Sequence, residues 1–255
     1  MNPLAKAAAK KIINFYGITD PAEIDIYAIA IDRNLFIWDK KIDGAQGRLI
    51  CRGEKGIISV DSSIQLEVRR RFIVAHELGH FELHRNKKSV NICDEEALLS
   101  QYKKGDFEYD ANVFAGELLI PTEILNRFDN PKEFSKTYLN NLAQTFNVSL
   151  SAFSIKYVEE GKMPIAIIYS KNGLIIWYKI NNYFPFHFVD TKVKVSKISS
   201  AYDYFDLGKI ISEPVEVPAE AWFANDKDFD PNVYLFEQYQ AFPSLNSVLS
   251  VLWCK

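Results

Sequence analysis

The sequence predicts an α+β fold, because helical and strand patterns occupy different stretches of the chain. Apolar residues at helical spacing precede a group of short strands, two longer helical segments follow, and the final third is rich in strands and aromatic residues. A chain of 255 residues, 48% of them hydrophobic, is long enough to bury a substantial core and to form more than one domain. We therefore predict three parts, at residues 1–128, 129–161 and 162–255.

Composition and charge limit the classes of partner and the compartment. Lys and Arg number 30 and Asp and Glu number 33, so the net charge of −3 gives no general attraction to nucleic acid or to an anionic membrane. The amino-terminal stretch has lysines among its alanines, unlike a secretory signal, and no later segment approaches a membrane span. An odd and scattered set of cysteines argues for a reducing compartment: Cys51, Cys93 and Cys254. We therefore expect a cytoplasmic protein that does not enter a membrane.

The first 61 residues predict two helices followed by a small sheet. LAKAAAKKIINFYG and AEIDIYAIAIDRN carry apolar residues at helical spacing on either side of a turn at Asp20-Pro21. Three short runs separated by Gly, Asp and Lys predict a small antiparallel sheet: LFIW (35–38), GRLIC (47–51) and GIISVD (56–61).

The remaining elements are two longer helices, a pair of short helices and a strand-rich segment. Helical patterns occupy about 65–84 and 107–120, and Pro121 marks the end of the second. LNNLAQTFNVSLSAFSIKYVEEG has the shape of a helix-turn-helix, with its turn near Asn147. After Met163, PIAIIYS and GLIIWYKI flank a turn at residues 171–173, and NVYLFEQYQ and SVLSVLW resume the strand pattern. This last part is predicted to form a separate α+β domain.

The segment RRRFIVAHELGHFELHR carries a metal-binding pattern, His76-Glu77-Leu78-Gly79-His80. Positions four apart on a helix lie one turn above each other, so both imidazoles can converge on one zinc ion. Glu77 lies beside them and can accept a proton from the attacking water and pass it to the leaving amine of a cleaved peptide bond. The pattern is supported by apolar residues that form the buried side of a helix: Phe72, Ile73, Val74, Leu78 and Phe81.

A catalytic zinc normally has a third protein ligand and one open position. His84 is the nearest candidate in sequence, but it lies eight residues from His76, about 12 Å along a helix axis, which is too far for both to share an ion. The ligand must therefore come from the second helix, FEYDANVFAGELLIP. That helix offers three acids, and spacing alone does not choose among them: Glu108, Asp110 and Glu117.

The two blocks FIVAHELGHFELH and EYDANVFAGELLIP together resemble the ImmA/IrrE family of bacterial metallopeptidases. The resemblance implies a zincin-like zinc endopeptidase domain whose third ligand is Glu108, followed in some members by a helix-turn-helix and a GAF-like sensor domain. It also implies that the substrate is a helix-turn-helix repressor, cleaved when DNA damage, stress or phage infection is sensed. The chain departs from relatives in having Ile120 where Met is frequent before the closing proline, a conservative change.

Three further residues are candidates for roles around the metal. His84, one turn further along the ligand helix, can orient the substrate or a carboxylate outside the metal ligands, or can be structural. Asn112 can hydrogen-bond a ligand or simply pack in the helix interface. Cys93 lies between the two helices, where a thiolate can act as a fourth ligand and keep the enzyme latent. A free, partly buried cysteine is the simpler interpretation of Cys93.

Two segments outside the metal site could either bind a partner or simply pack in the fold. Residues 131–161 balance three lysines against three glutamates, which favours packing over DNA contact for the helical module. WYKINNYFPFHF in the last part can present aromatic rings to a nucleic-acid or small-molecule signal, or can place them in a core. The alternatives to a peptidase are a non-proteolytic regulator that binds DNA or a partner on a zincin fold, and an antitoxin-like or phage-associated interaction protein.

Overall fold

The computed structural model describes residues 3–85, 91–93, 107–129 and 135–254, and their mixed helices and strands confirm the predicted α+β class. The chain forms two compact units. The first consists of residues 1–128 and 141–149, and the second of residues 129–140 and 150–255. The three-part organisation expected from the sequence stays a prediction.

The first unit contains the two predicted amino-terminal helices, a four-stranded sheet and the two longer helices. The helices are α1 (Pro3–Phe15), α2 (Ile26–Asp32), α3 (Glu67–His84), α4 (Phe107–Leu119) and α5 (Thr122–Phe128). The strands are β1 (Leu35–Lys40), β2 (Gly47–Arg52), β3 (Lys55–Asp61) and β4 (Asn91–Cys93), in the order β1-β3-β2-β4. Helix α3 lies against β2 and β3, and α4 packs along α3.

The prediction of a purely antiparallel sheet is wrong for β1. Strand β2 runs antiparallel to β3 and β4, but β1 pairs with β3 in parallel, with Leu35 opposite Gly56. Residues 41–46 cross the carboxyl end of β3, so β1 and β2 flank that strand instead of forming a hairpin. Asp61 at the end of β3 holds this crossing: its carboxylate accepts a hydrogen bond from Ile42 N at 2.6 Å, and its own N–H donates to Gln46 O at 3.0 Å.

The helix pair around Asn147 forms as the sequence predicts. Helix α6 (Lys136–Thr145) spans the division between the units, and α7 (Leu150–Glu160) belongs to the second. Between them Asn147 has φ 51°, a left-handed conformation that Asn tolerates better than most residues.

The second unit is built on a five-stranded antiparallel sheet. Its order is β6-β5-β9-β8-β7, from the strands β5 (Ile165–Lys171), β6 (Leu174–Ile180), β7 (Val215–Pro218), β8 (Tyr234–Phe242) and β9 (Ser247–Cys254). Asn172 and Gly173, with φ 52° and 74°, form the β5–β6 turn that the sequence predicts. Helices α8 (Ser200–Leu207) and α9 (Glu220–Phe223) contribute to a core that is rich in aromatic rings. Among the described residues, no helix combines the length and apolar character that a membrane span needs.

Candidate metal centre

Helix α3 places His76, Glu77 and His80 in the interior of the first unit, where all three side chains are inaccessible to solvent. The two imidazoles lie one helical turn apart, with their ring centroids 4.7 Å apart and their planes nearly perpendicular. Their Nε2 atoms are 3.0 Å from each other. Both rings therefore direct the same nitrogen toward one point beside the helix.

Close packing of α4 on α3 brings a carboxylate to that point. A Cβ atom at Gly79 would lie 3.2 Å from the Cα and carbonyl oxygen of Ala111 and 3.0 Å from the ring of Phe114. A glycine in the middle of a helix costs stability relative to alanine, and here it permits an approach that a larger residue would prevent. Glu108 lies one turn before Ala111 and so reaches the imidazole pair.

Glu108 faces both imidazoles. Its Oε2 lies 3.1 Å from Nε2 of His76, and its Oε1 lies 3.1 Å from Nε2 of His80. In the parts of the chain that the structure describes, these three residues form the one group of at least three His, Cys, Asp or Glu side chains with converging ligand atoms.

The protonation states of this group suit a cation. Burial lowers the pKa of His76, which keeps the imidazole neutral with a lone pair available. Burial alone would raise the pKa of Glu108, but the contacts with His76 and His80 outweigh it and hold that pKa well below its usual range. Two histidines and a carboxylate are the ligand set of many catalytic zinc sites, whose donor atoms lie about 3.3 Å apart around the ion. The separations of 3.0 and 3.1 Å fit a divalent metal ion.

Glu77 lies beside the group without a partner of its own. Neither carboxylate oxygen accepts a hydrogen bond from any described residue. Burial, and then the charge of Glu108, raise the pKa of Glu77 well above its ordinary value. Strand β2 passes close by, since a Cβ atom at Gly47 would lie 2.8 Å from Oε1 of Glu77 and 2.6 Å from Cγ2 of Ile73. A buried carboxylate with unsatisfied oxygens is costly in a structural role and is typical of a group that exchanges protons.

The other two acids of α4 have different surroundings. The carboxylate of Glu117 accepts hydrogen bonds from the backbone N–H and the hydroxyl of Thr122, at 3.1 and 2.8 Å, and so binds the first turn of α5. Asp110 points along α3 to His84, with 3.7 Å between its Oδ2 and Nε2 of the imidazole. Of the three acids that spacing left open, only Glu108 meets the imidazole pair.

Both imidazoles have a neighbour on the ring nitrogen that faces away from Glu108. Nδ1 of His76 lies 2.9 Å from Oδ1 of Asn112, and Nδ1 of His80 lies 3.4 Å from Nδ1 of His84. The side chain of Cys93 lies outside the described residues, so the latch stays a prediction. The backbone of Cys93 pairs with Gly47 at the edge of the sheet.

Sequence reasoning missed two glycines that shape the centre. Gly79 lies inside a helical pattern, where a glycine indicates close packing, so its role could have been predicted from the sequence. Gly47 has no comparable signal, because its closeness to Glu77 depends on how the sheet lies on α3.

The aromatic segment of the second unit is largely structural in this fold. Trp177, Phe184 and Phe186 are buried, and the latter two belong to the core. Lys179 is paired with Glu159, while Tyr183 remains exposed. Half of the six Trp, Tyr and Phe rings of this segment are therefore in the interior, whereas Tyr183 and Phe188 are exposed.

Comparisons with known proteins agree with the chemistry of the centre. A peptidase family profile, described as the IrrE N-terminal-like domain, matches residues 37–157. The chain is 30% identical over 127 residues to an uncharacterized immunity region protein 2 of Bacillus phage phi105, a match that covers 50% of this chain and 75% of that protein. It is 28% identical over 149 residues to the metallopeptidase ImmA of Bacillus subtilis strain 168, covering 56% of this chain and 78% of ImmA.

A solved structure extends the likeness to the fold. A Mycobacterium tuberculosis transcriptional regulator matches with a TM-score of 0.60 over 98% of this chain and 75% of its own. At 15% sequence identity this is a likeness of fold alone.

Proposed function

The chain belongs to the ImmA/IrrE family, and from that premise we propose that it is a zinc-dependent endopeptidase whose metal is held by His76, His80 and Glu108. The observation that carries the proposal is the convergence of both Nε2 atoms and both oxygens of Glu108 on one point. The buried carboxylate of Glu77, which accepts no hydrogen bond from the described part of the chain, lies next to that point. Metal ligands and a proton carrier are the two components that peptide hydrolysis by this route needs.

The residues of the centre divide the work of hydrolysis among them. When bound, a zinc ion supplies Lewis acidity, which polarises a carbonyl group and acidifies water. Glu77 accepts the proton of the water whose oxygen adds to the scissile carbonyl carbon. The same carboxyl then donates that proton to the amide nitrogen as its bond to carbon breaks. The raised pKa of Glu77 suits both steps, because it makes the carboxylate a stronger base and lets the carboxyl hold its proton to a higher pH than an ordinary glutamate.

Asn112 supports this arrangement in our proposal. An imidazole that binds metal through Nε2 carries its proton on Nδ1, and an amide oxygen is an acceptor for that proton. Oδ1 of Asn112 stands in hydrogen-bond range of Nδ1 of His76. The amide therefore fixes both the tautomer and the orientation of this ligand.

The proposed substrate is a helix-turn-helix transcriptional repressor, cleaved in response to DNA damage, stress or phage infection. The support comes from the family and from a relative that is named for a phage immunity region. For the remainder of the chain we propose a helix-turn-helix-like module at 129–161 and a GAF-like sensor domain at 162–255. The pair of helices around Asn147 and the five-stranded sheet of the second unit are compatible with these roles. We place the protein in the cytoplasm, where such repressors act.

The test is cleavage of helix-turn-helix repressors from the same genome, neighbouring genes first, with and without a chelator. Purified wild-type protein is expected to contain about one zinc per chain and to cut the repressor, and the chelator is expected to stop cleavage. Glu77→Gln should keep the zinc and lose cleavage by about 10²- to 10⁴-fold, because it removes only the proton carrier. A non-proteolytic regulator would instead keep its effect on transcription in cells that carry Glu77→Gln, and that result would refute the proposal.

A further inference from the structure

A series of polar side chains extends from the Nδ1 atom of His80, the ring nitrogen that does not face Glu108, to Asp110. Nδ1 of His80 lies 3.4 Å from Nδ1 of His84, and Nε2 of His84 lies 3.7 Å from Oδ2 of Asp110. His84 is almost fully buried, and the ring of Phe107 packs against it in a tilted contact with a centroid distance of 4.4 Å. The three residues thus connect α3 to the first turn of α4.

The two metal-facing imidazoles differ in the kind of acceptor that they meet. Asn112 presents His76 with an amide oxygen, which can only accept. His80 instead meets another imidazole nitrogen, which accepts or donates according to which tautomer His84 adopts. If the proton of His84 lay on Nδ1, that nitrogen and the Nδ1–H of a metal-bound His80 would both be donors. The contact would then be repulsive.

Asp110 resolves this ambiguity. Its carboxylate faces Nε2 of His84 and attracts a proton to that nitrogen. With the proton on Nε2, Nδ1 of His84 is left as an acceptor for Nδ1–H of His80. The Nε2 lone pair of His80 then points at the metal position that Glu108 also faces. The ring of Phe107, which packs against His84 with 36° between the ring planes, limits the rotation of that imidazole.

We propose that His84 and Asp110 are positioning residues that set the tautomer of His80 for metal binding. The inference rests on the metal site of the proposed function and does not depend on the substrate. His84 acts as an intermediate acceptor and Asp110 as its anchor, so the contribution of Asp110 passes through His84. This dependence separates the proposal from simple packing, in which the two residues would act independently.

The test is a double-mutant comparison of zinc affinity, measured on the full chain by competition with a chromophoric chelator. His84→Leu removes the acceptor and is expected to weaken zinc binding by about 10- to 100-fold. His84→Asn places an amide oxygen near the position of Nδ1 and should bind zinc nearly as well as wild type. In the protein that retains His84, Asp110→Ala should weaken zinc binding several-fold. In the His84→Asn background the same substitution should change zinc binding very little, because the amide oxygen is an acceptor without help from Asp110.

Matched variants and a direct observation complete the experiment. His187→Leu changes an exposed histidine of the second unit, and Glu117→Gln a buried acid of α4; neither should alter zinc affinity. In the zinc-loaded protein, nitrogen-15 imidazole spectra should show the proton of His80 on Nδ1. Equal zinc affinity in wild type and His84→Leu would overturn the proposal, as would an equal loss from Asp110→Ala in both backgrounds.

The outcome can be separated from that of the proposed function. Zinc binding with the expected coupling but no cleavage would reject the peptidase and leave the positioning role standing. Cleavage by wild type with no change of zinc affinity in the variants would support the peptidase and reject the positioning role. If His84→Leu does not fold, the proposal is still tested by the imidazole spectra and by the zinc affinity of Asp110→Ala measured with His84 and with His84→Asn.

Discussion

The α carbon of Gly47 faces the carboxylate of Glu77 so closely that a Cβ atom there would lie 2.8 Å from Oε1. The same Cβ atom would lie 2.6 Å from Cγ2 of Ile73, one turn earlier on α3. Strand β2 and helix α3 therefore meet without a side chain between them at the position of the proposed proton carrier. The sheet does more than cover a hydrophobic helix, since it limits where the carboxylate of Glu77 can lie.

Gly47→Ala is expected to impair cleavage while sparing the metal. The added methyl group must displace Glu77, Ile73 or the strand, and small displacements of a catalytic group cost up to about 10²-fold in rate. The ligands of the proposed site lie on α3 and α4, so zinc content should stay near that of wild type. Measuring kcat/KM and zinc content of the same preparation checks both parts. Unchanged kcat/KM would show that Glu77 tolerates the displacement.

Alanine substitutions at two glycines on adjacent helices should change the free energy of unfolding in opposite directions. At Gly79 the Cβ atom would lie 3.0 to 3.2 Å from Phe114 and the backbone of Ala111, so Gly79→Ala should destabilise the first unit by about 1 to 3 kcal/mol. At Gly116, no atom of the described residues outside the helix's own backbone lies within 4 Å of the Cβ position, so Gly116→Ala should stabilise the helix by about 0.5 to 1 kcal/mol. Urea unfolding of the metal-free proteins measures both changes. A stabilising Gly79→Ala would mean that α4 moves away from α3 at little cost.

The parts of the candidate site that lie on one helix could be predicted from the sequence, whereas the parts that depend on contacts between elements could not. His76, Glu77 and His80 share one helix, and helical spacing alone predicts their arrangement. Glu108 was selected only by family resemblance, because three acids share α4 and the rotation of one helix on another is a tertiary property. The direction of β1 was mispredicted for a related reason. Apolar alternation marks a strand but does not indicate that residues 41–46 cross the end of β3.

Glu108→Gln and Glu117→Gln should separate metal binding from helix stability. Glu108→Gln removes the negative charge that both imidazoles face, and we expect it to weaken zinc binding by at least about 100-fold. Glu117→Gln disturbs the acceptor of Thr122 at the start of α5, which should cost about 1 kcal/mol and leave zinc affinity unchanged. Chelator competition and urea unfolding on both variants check the division. Weaker zinc binding by Glu117→Gln would indicate that Glu117 is a zinc ligand, and this would contradict our assignment of Glu108.

A buried carboxyl in the second unit should make the stability of that unit depend on pH. Glu237 is inaccessible to solvent and accepts hydrogen bonds from Ser200 N, Ala201 N, Trp222 Nε1 and Ser250 Oγ. Burial outweighs these bonds and raises the pKa of Glu237 above its ordinary value. The folded-state pKa therefore exceeds the unfolded value of about 4.3, and folding takes up a proton between the two. The unfolding free energy contributed by this group falls as the pH rises through that window.

The contribution of Glu237 can be isolated by comparing wild type with Glu237→Gln across the pH range. The variant cannot titrate at this position, so its stability relative to wild type should improve as the pH rises from about 4 toward neutrality. The amide keeps one acceptor oxygen and replaces the other with a donor, so two of the four donors lose their acceptor, which should still leave Glu237→Gln less stable than wild type at acidic pH. Tryptophan fluorescence, to which Trp222 contributes, can follow the unfolding in urea. Glu220→Gln removes an exposed negative charge from α9 and serves as the control for net charge. If the stability difference between wild type and Glu237→Gln were the same at every pH, the pKa of Glu237 would be equal in the folded and unfolded states, and the prediction of a raised pKa would be wrong.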